Sequence, residues 1–130
     1  MALHVVDALA SVALSGTTNV TIPVPQGTQQ LIIRTSCKYA AVAATSGITA
    51  SYQVSLDGTT FAAAGEPNLL LKPAANVIGS DITVFNLGNS PFHLDSPSNI
   101  NAVKVTLTNA DATNPVTVAI SHEAASSQSI

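Results

Sequence analysis

Covalent catalysis needs a nucleophile, a base within hydrogen-bond reach and a group that orients the base. The chain offers one thiol to start from, Cys37. It lies between Ser36 and Lys38 in a segment of strand character. A lysine in contact would depress its pKa, but neighbours in a strand point to opposite faces, and free cysteine is among the most buried residue types. Serine is plentiful, yet no Gly-x-Ser-x-Gly elbow occurs. The three histidines, His4, His93 and His122, show no metal-ligand spacing and read as surface or strand-edge residues. The seven acidic residues are spread along the chain, mostly beside turns. Two of them, Asp57 and Asp111, are accounted for by a turn and a loop. His93 and Asp95 would share one strand face, where such a pair binds a cation or tunes a proton transfer, but an exposed polar face beside a loop is the plainer reading. No calcium loop, phosphate-binding loop or dinucleotide fingerprint is present. The expectation is a protein with no catalytic residues, no metal ligands and no cofactor, hence not an enzyme.

The elements that would position these residues are short strands. Val20, Ile22 and Val24 alternate with Thr21 and Pro23, and the proline, which cannot donate to a ladder, places this strand at a sheet edge. Leu31 to Ile33 is a continuous apolar run leading into Arg34, Ser36 and Lys38, as expected of a central strand. Tyr52, Val54 and Leu56 alternate with Ser51, Gln53 and Ser55 ahead of Asp57-Gly58 and Thr59, Thr60, Phe61, which predicts a hairpin on a two-residue type I′ turn. Further strands are expected over 68–72 and 82–87, the latter bounded by Gly79 and Gly88. Val103, Val105 and Leu107, then Val116, Val118 and Ile120, alternate with polar or small residues across a polar loop, and are expected to pair with each other. Residues 2–14 carry a helical stripe at Val6, Leu9, Ala10 and Ala13, but β-branched Val5, Val6 and Val12 favour a strand or an extended arm. Ala40 to Ala44 is consistent with a loop or one helical turn. The result is eight or nine short strands in one antiparallel β-sandwich, of jelly-roll or immunoglobulin-like layout. The expected organisation is an arm or first strand over 1–14, a sandwich over 15–123 and a frayed tail over 124–130.

Composition narrows function by exclusion. The chain has 130 residues, about one domain. Only 8% are charged, with four basic residues and a net charge of -3, which leaves no electrostatic footprint for nucleic acid and no polybasic membrane anchor. No apolar run approaches the ~20 residues of a membrane-spanning helix. No Lys or Arg precedes Arg34, and His4 and Asp7 interrupt the first apolar stretch, so no signal peptide is expected. One cysteine makes no internal disulfide. With no Trp, two Tyr and three Phe, most rings are needed for the core, which leaves few aromatic platforms for a sugar.

The segment Ser55-Leu56-Asp57-Gly58-Thr59-Thr60-Phe61 resembles the S-x-D-G-T-x-aromatic hairpin of β-sandwich modules, with Phe61 where Trp is frequent. That hairpin is common in small structural proteins of tailed bacteriophages and in some extracellular adhesive modules. The wider character of the chain, short, β-rich, cysteine-poor and rich in Ala, Thr, Ser and Asn, is similar to phage capsid decoration and head or tail accessory proteins. The resemblance implies a virion protein, made in the host cytoplasm, that docks on the major capsid protein or other virion proteins, and a homo-oligomer such as a trimer. A surface of Ser, Thr, Asn and Gln costs little to desolvate, which suits such contacts. Leu3, Val5, Val6 and Leu9 of the first segment, and Pro91, Phe92 and His93 of the breaker-rich loop 88–101, are the candidate interface residues. A carbohydrate-binding or adhesive β-sandwich module, or a tail-associated structural protein, is the alternative.

Overall fold

The structure is a computed structural model that describes residues 2–14, 16–25, 27–40, 42–62, 69–87, 100–111 and 114–126. These contain eight strands: β1 (Ala2–Leu14), β2 (Thr17–Pro23), β3 (Gln30–Tyr39), β4 (Ile48–Ser55), β5 (Leu69–Leu71), β6 (Ile78–Asn86), β7 (Ala102–Asn109) and β8 (Val116–Ser126). No helix occurs among the described residues. The strands form two four-stranded antiparallel sheets, a front sheet β1-β8-β3-β6 and a back sheet β2-β7-β4-β5.

That order has a simple generator. The first strand pairs with the last, the second with the seventh, the third with the sixth and the fourth with the fifth. A long antiparallel ribbon is thus rolled up so that its successive strand pairs fall alternately on the two sheets. Ladders β3·β8 and β4·β7 then close each sheet. This is a jelly roll, and the strand order excludes the immunoglobulin alternative, in which a four-stranded ABED sheet faces CFG.

Side-chain alternation builds the core. In β3 every second residue from Leu31 to Tyr39 is buried, with Cys37 among them and Lys38 on the opposite side. Val118 and Ile120 of β8 lie beside them, and Ile22, Ile48, Val103, Val105 and Leu107 face them from the back sheet. Burial of each of these large aliphatic side chains contributes about 1.5–3 kcal/mol. Cys37 is 2% exposed, and desolvation pushes its thiol up to about 11, so it is a packed core residue and not a nucleophile. As expected, β2 with Pro23 is an edge strand and β3 is central.

Four expectations are corrected. β7 and β8 do not pair, because they lie in opposite sheets. Each has one apolar face, and that pattern is the same whichever sheet supplies the neighbours. The Asp57-Gly58 turn is not type I′: only Gly58 has positive φ, and the chain closes through a single Ser55↔Phe61 bridge around a longer loop. β6 begins at Ile78, so Gly79 lies inside it and does not bound it. β8 runs to Ser126 with Ala124 and Ala125 buried, so residues 124–126 are sheet and not tail.

Candidate interaction surface

The connections β1–β2, β3–β4, β5–β6 and β7–β8 meet at one end of the sandwich, and Asp111 organises it. Its carboxylate accepts N–H groups from Thr45 (3.0 Å), Ser46 (2.8 Å) and Gly47 (2.8 Å). These three amides, with Lys72 nearby, hold the carboxyl below the usual carboxylate range. Ala110 N–H to Gly47 O and Ala44 N–H to Pro73 O tie the loops further. These hydrogen bonds run between the loops themselves, so this end acts as a structural clamp. Asp57 behaves similarly: its Oδ1 accepts from Thr59 N (2.8 Å), Thr60 N (2.7 Å) and Ser55 Oγ (2.9 Å), which keeps it strongly acidic and shapes the loop.

The outer face of the front sheet is different. Register sets Val84, Ile32 and Glu123 in one row across the strands, and Ile82, Arg34 and Ser121 in the next. Ser80, Ser36 and Ala119 follow, then Ile78, Lys38 and Thr117. On β6 three branched aliphatic side chains stand in solvent: Ile78 is 69% exposed, Ile82 51% and Val84 49%. Two shallow grooves of about 330 and 320 Å³ run along this face, the first past Ile32, Arg34 and Ile82, the second past Ser36, Lys38 and Ile78. A third, of about 730 Å³, lies between Leu56, Phe61 and Ile100 beside the Asp57 loop. Exposed aliphatics gathered on one face are the mark of a contact surface, whereas scattered ones need no explanation.

The aromatic rings are elsewhere. Tyr39 is fully buried, and Tyr52 meets Phe85 edge-on across the two sheets at 5.1 Å. Phe61 lies under the Lys104 ammonium at 4.8 Å, a cation–π contact on the back sheet. Among the described residues no ring is displayed on the outer face of the front sheet.

The candidate interface residues are dispersed. Leu9 lies in β1 between two register irregularities and packs against the core. Leu3, Val5 and Val6 stand opposite Ala125, Glu123 and His122, and their side chains are outside the described residues. Pro91, Phe92 and His93, with Asp95, also lie outside the described residues. The β6 stripe was missed: Ile82 and Val84 were legible as strand residues, but their alternation does not say which face of the strand is covered.

His122 is a correction of another kind. It is buried, 8% exposed, and among the described residues its Nδ1 has no hydrogen-bond partner. Burial lowers its pKa from 6.5. The unfolded chain therefore takes up a proton first as pH falls, and stability is lost from about pH 6.5 downward until the folded-state pKa is passed. Thermal melts across that window should show this loss, and His122→Leu should flatten it relative to the parent. Equal slopes in parent and variant would exclude His122 as the source.

No family model matches the sequence, and no curated protein sequence matches it. Solved structures do share the fold. The CBM22-2 xylan-binding domain of Paenibacillus barcinonensis Xyn10C matches with a TM-score of 0.55 at 14% identity, over 96% of this chain and 87% of that one. The enzymatically active domain of bacteriophage CBA120 tailspike protein 4 matches at 0.57 and 11%, over 95% of this chain and 18% of the tailspike. A chain of infectious bursal disease virus, Gx strain, matches at 0.51 and 8%, over 95% and 31%. The chain thus spans under a third of the two viral chains. At these identities the likeness is one of fold: an all-β jelly-roll sandwich, an architecture used by viral capsid and lectin domains.

Proposed function

We propose that this jelly roll is a non-catalytic structural protein of a virion, which docks on an assembled phage capsid and decorates or stabilises it. The observation that carries this reading is the exposed stripe Ile78, Ile82 and Val84 on a face where, among the described residues, no ring is displayed. Aliphatic contact area of this kind suits a protein surface, while sugar faces pack on aromatic ones. The low charge supports it, since 8% charged residues leave few ions to strand in an interface. The partner is the major capsid protein or another virion protein. A subunit that binds only the assembled shell stabilises that shell by mass action.

The test is co-sedimentation with empty capsids of the phage that encodes the chain. The parent should bind saturably, and Ile82→Lys combined with Val84→Lys should weaken binding by about tenfold or more. A second reading, a carbohydrate-binding or adhesive module, is supported by the likeness to the xylan-binding domain and by Arg34, Ser121 and Glu123 along one groove. Glycan binding without capsid binding would establish it and overturn the first.

A further inference from the structure

A sandwich of two open sheets has four edges, and exposed edges invite pairing with another chain unless something blunts them. Three are blunted here. β1 carries register irregularities between Asp7 and Leu9 and between Leu9 and Val12. β2 ends on Pro23, and β5 has only three residues. The fourth, β6, is nine residues long and regular from Ile78 to Asn86. Among the described residues no strand pairs with its outer side.

The direction of its backbone groups follows from its neighbour. The carbonyls of Gln29, just before β3, and of Tyr39 at its end accept from Leu87 and Asn76 on the β6 side, while Ala40 N–H points the other way to Pro115. Odd-numbered residues of β3 therefore bond toward β6, and by register they meet odd-numbered partners. Residues 78, 80, 82, 84 and 86 direct their N–H and C=O to the open edge. Consistent with this, Ile82 N–H is taken by the neighbouring Asp81 carboxylate at 2.9 Å.

We propose that β6 pairs with β6 of a second copy of this chain, antiparallel about a two-fold axis at Ile82, making one continuous eight-stranded front sheet. Ile82 is the midpoint of the strand, so this register uses all nine residues. It sets Ile82 against Ile82, Ser80 against Val84 and Ile78 against Asn86. Asp81, the one ionisable side chain of the strand, meets Thr83 of the other copy and not its own charge. Pairing also brings the two aliphatic stripes side by side on the outer face. The pairing is a property of the isolated chain and stands whether or not the face docks on a capsid.

Sedimentation of the purified full chain, without capsid, tests it. The parent should form a dimer. Ser80→Pro deletes an open-edge N–H without touching the β3 ladder, and should weaken the dimer by about tenfold or more. Asp81→Ser frees the Ile82 N–H and should tighten it. Ile82→Cys should cross-link to its own copy under mild oxidation, because opposed residues of a hydrogen-bonded pair stand ~5.5 Å apart at Cα, within disulfide range. The buried Cys37 does not compete, and circular dichroism confirms that each variant folds. A monomer at all concentrations, a trimer, or a dimer that survives Ser80→Pro and leaves Ile82→Cys uncross-linked would each overturn the pairing.

Discussion

Replacing Tyr39 with alanine should cost about 3–5 kcal/mol, the range for deleting a large buried aromatic side chain. Whole domains hold only about 5–15 kcal/mol, so the variant should be partly unfolded or melt far earlier. Two contributions add at this residue. The ring is fully buried at the end of β3, beneath the loops that Asp111 clamps. Its hydroxyl, buried and pushed up to about 12 chiefly by desolvation with the Asp111 charge adding, donates to Asn109 Oδ1 at 2.7 Å and so ties the front sheet to the back. Asn109 in turn donates to the Asn114 carbonyl at 3.2 Å, and Asn114 Nδ2 donates to the Val42 carbonyl at 3.1 Å. Tyr39→Phe separates the contributions. It keeps the ring and removes one hydrogen bond, for about 1–2 kcal/mol, with Asn109 Oδ1 still accepting from Asp111 N–H. Urea midpoints at unchanged slope would measure both. A Tyr39→Phe cost as large as that of alanine would show that the hydroxyl network, and not the ring, holds this end.

Gly47→Ala should be more damaging than the same change at Gly16, Gly58 or Gly79. Gly47 has φ +86°, where an L-residue costs about 1–2 kcal/mol from conformation alone. An added Cβ would also collide with the Leu71 carbonyl and lie 2.6 Å from Lys72 Cγ. The lysine side chain can swing away, but the Leu71 backbone is paired with Ile48 in the β4·β5 ladder and cannot. Movement of Gly47 would in turn withdraw one of the three N–H groups on Asp111. Gly58→Ala is the control: its φ is +84°, yet nothing lies within 4 Å of the added carbon, so only the conformational cost remains. Melting temperatures should rank Gly47→Ala well below Gly58→Ala. Equal losses would mean that the β3–β4 loop yields to the collision.

Sequence and structure agree wherever one strand's own pattern suffices. The edge position of β2 follows from Pro23, the central position of β3 from its apolar run, and the inward packing of Cys37 from its alternation with Lys38. The same logic fails at His122, which shares the inward face with Val118 and Ile120. There a polar residue follows the strand's period rather than its own preference for solvent. It also fails at the Asp57 loop, where Ser55 Oγ accepts from Gly58 N–H at 2.9 Å and Asp57 accepts from two further amides, stabilising a longer turn than the dipeptide alone implies.

The candidate surface was the least legible part. Ile78, Ile82 and Val84 are indistinguishable by type from core residues, and their exposure arises because the opposite face of β6, with Thr83 and Phe85, is the one turned inward. The amino-acid sequence determined by itself a weakly charged chain of alternating strands, because side chains in a strand alternate with period two whatever surrounds them. The tertiary structure alone decided that β7 and β8 separate onto different sheets, that Asp111 gathers the amides of a loop some 65 residues away, and that β6 has no second neighbour among the described residues. Those are contacts between distant segments, and local periodicity carries no information about which distant segment lies opposite.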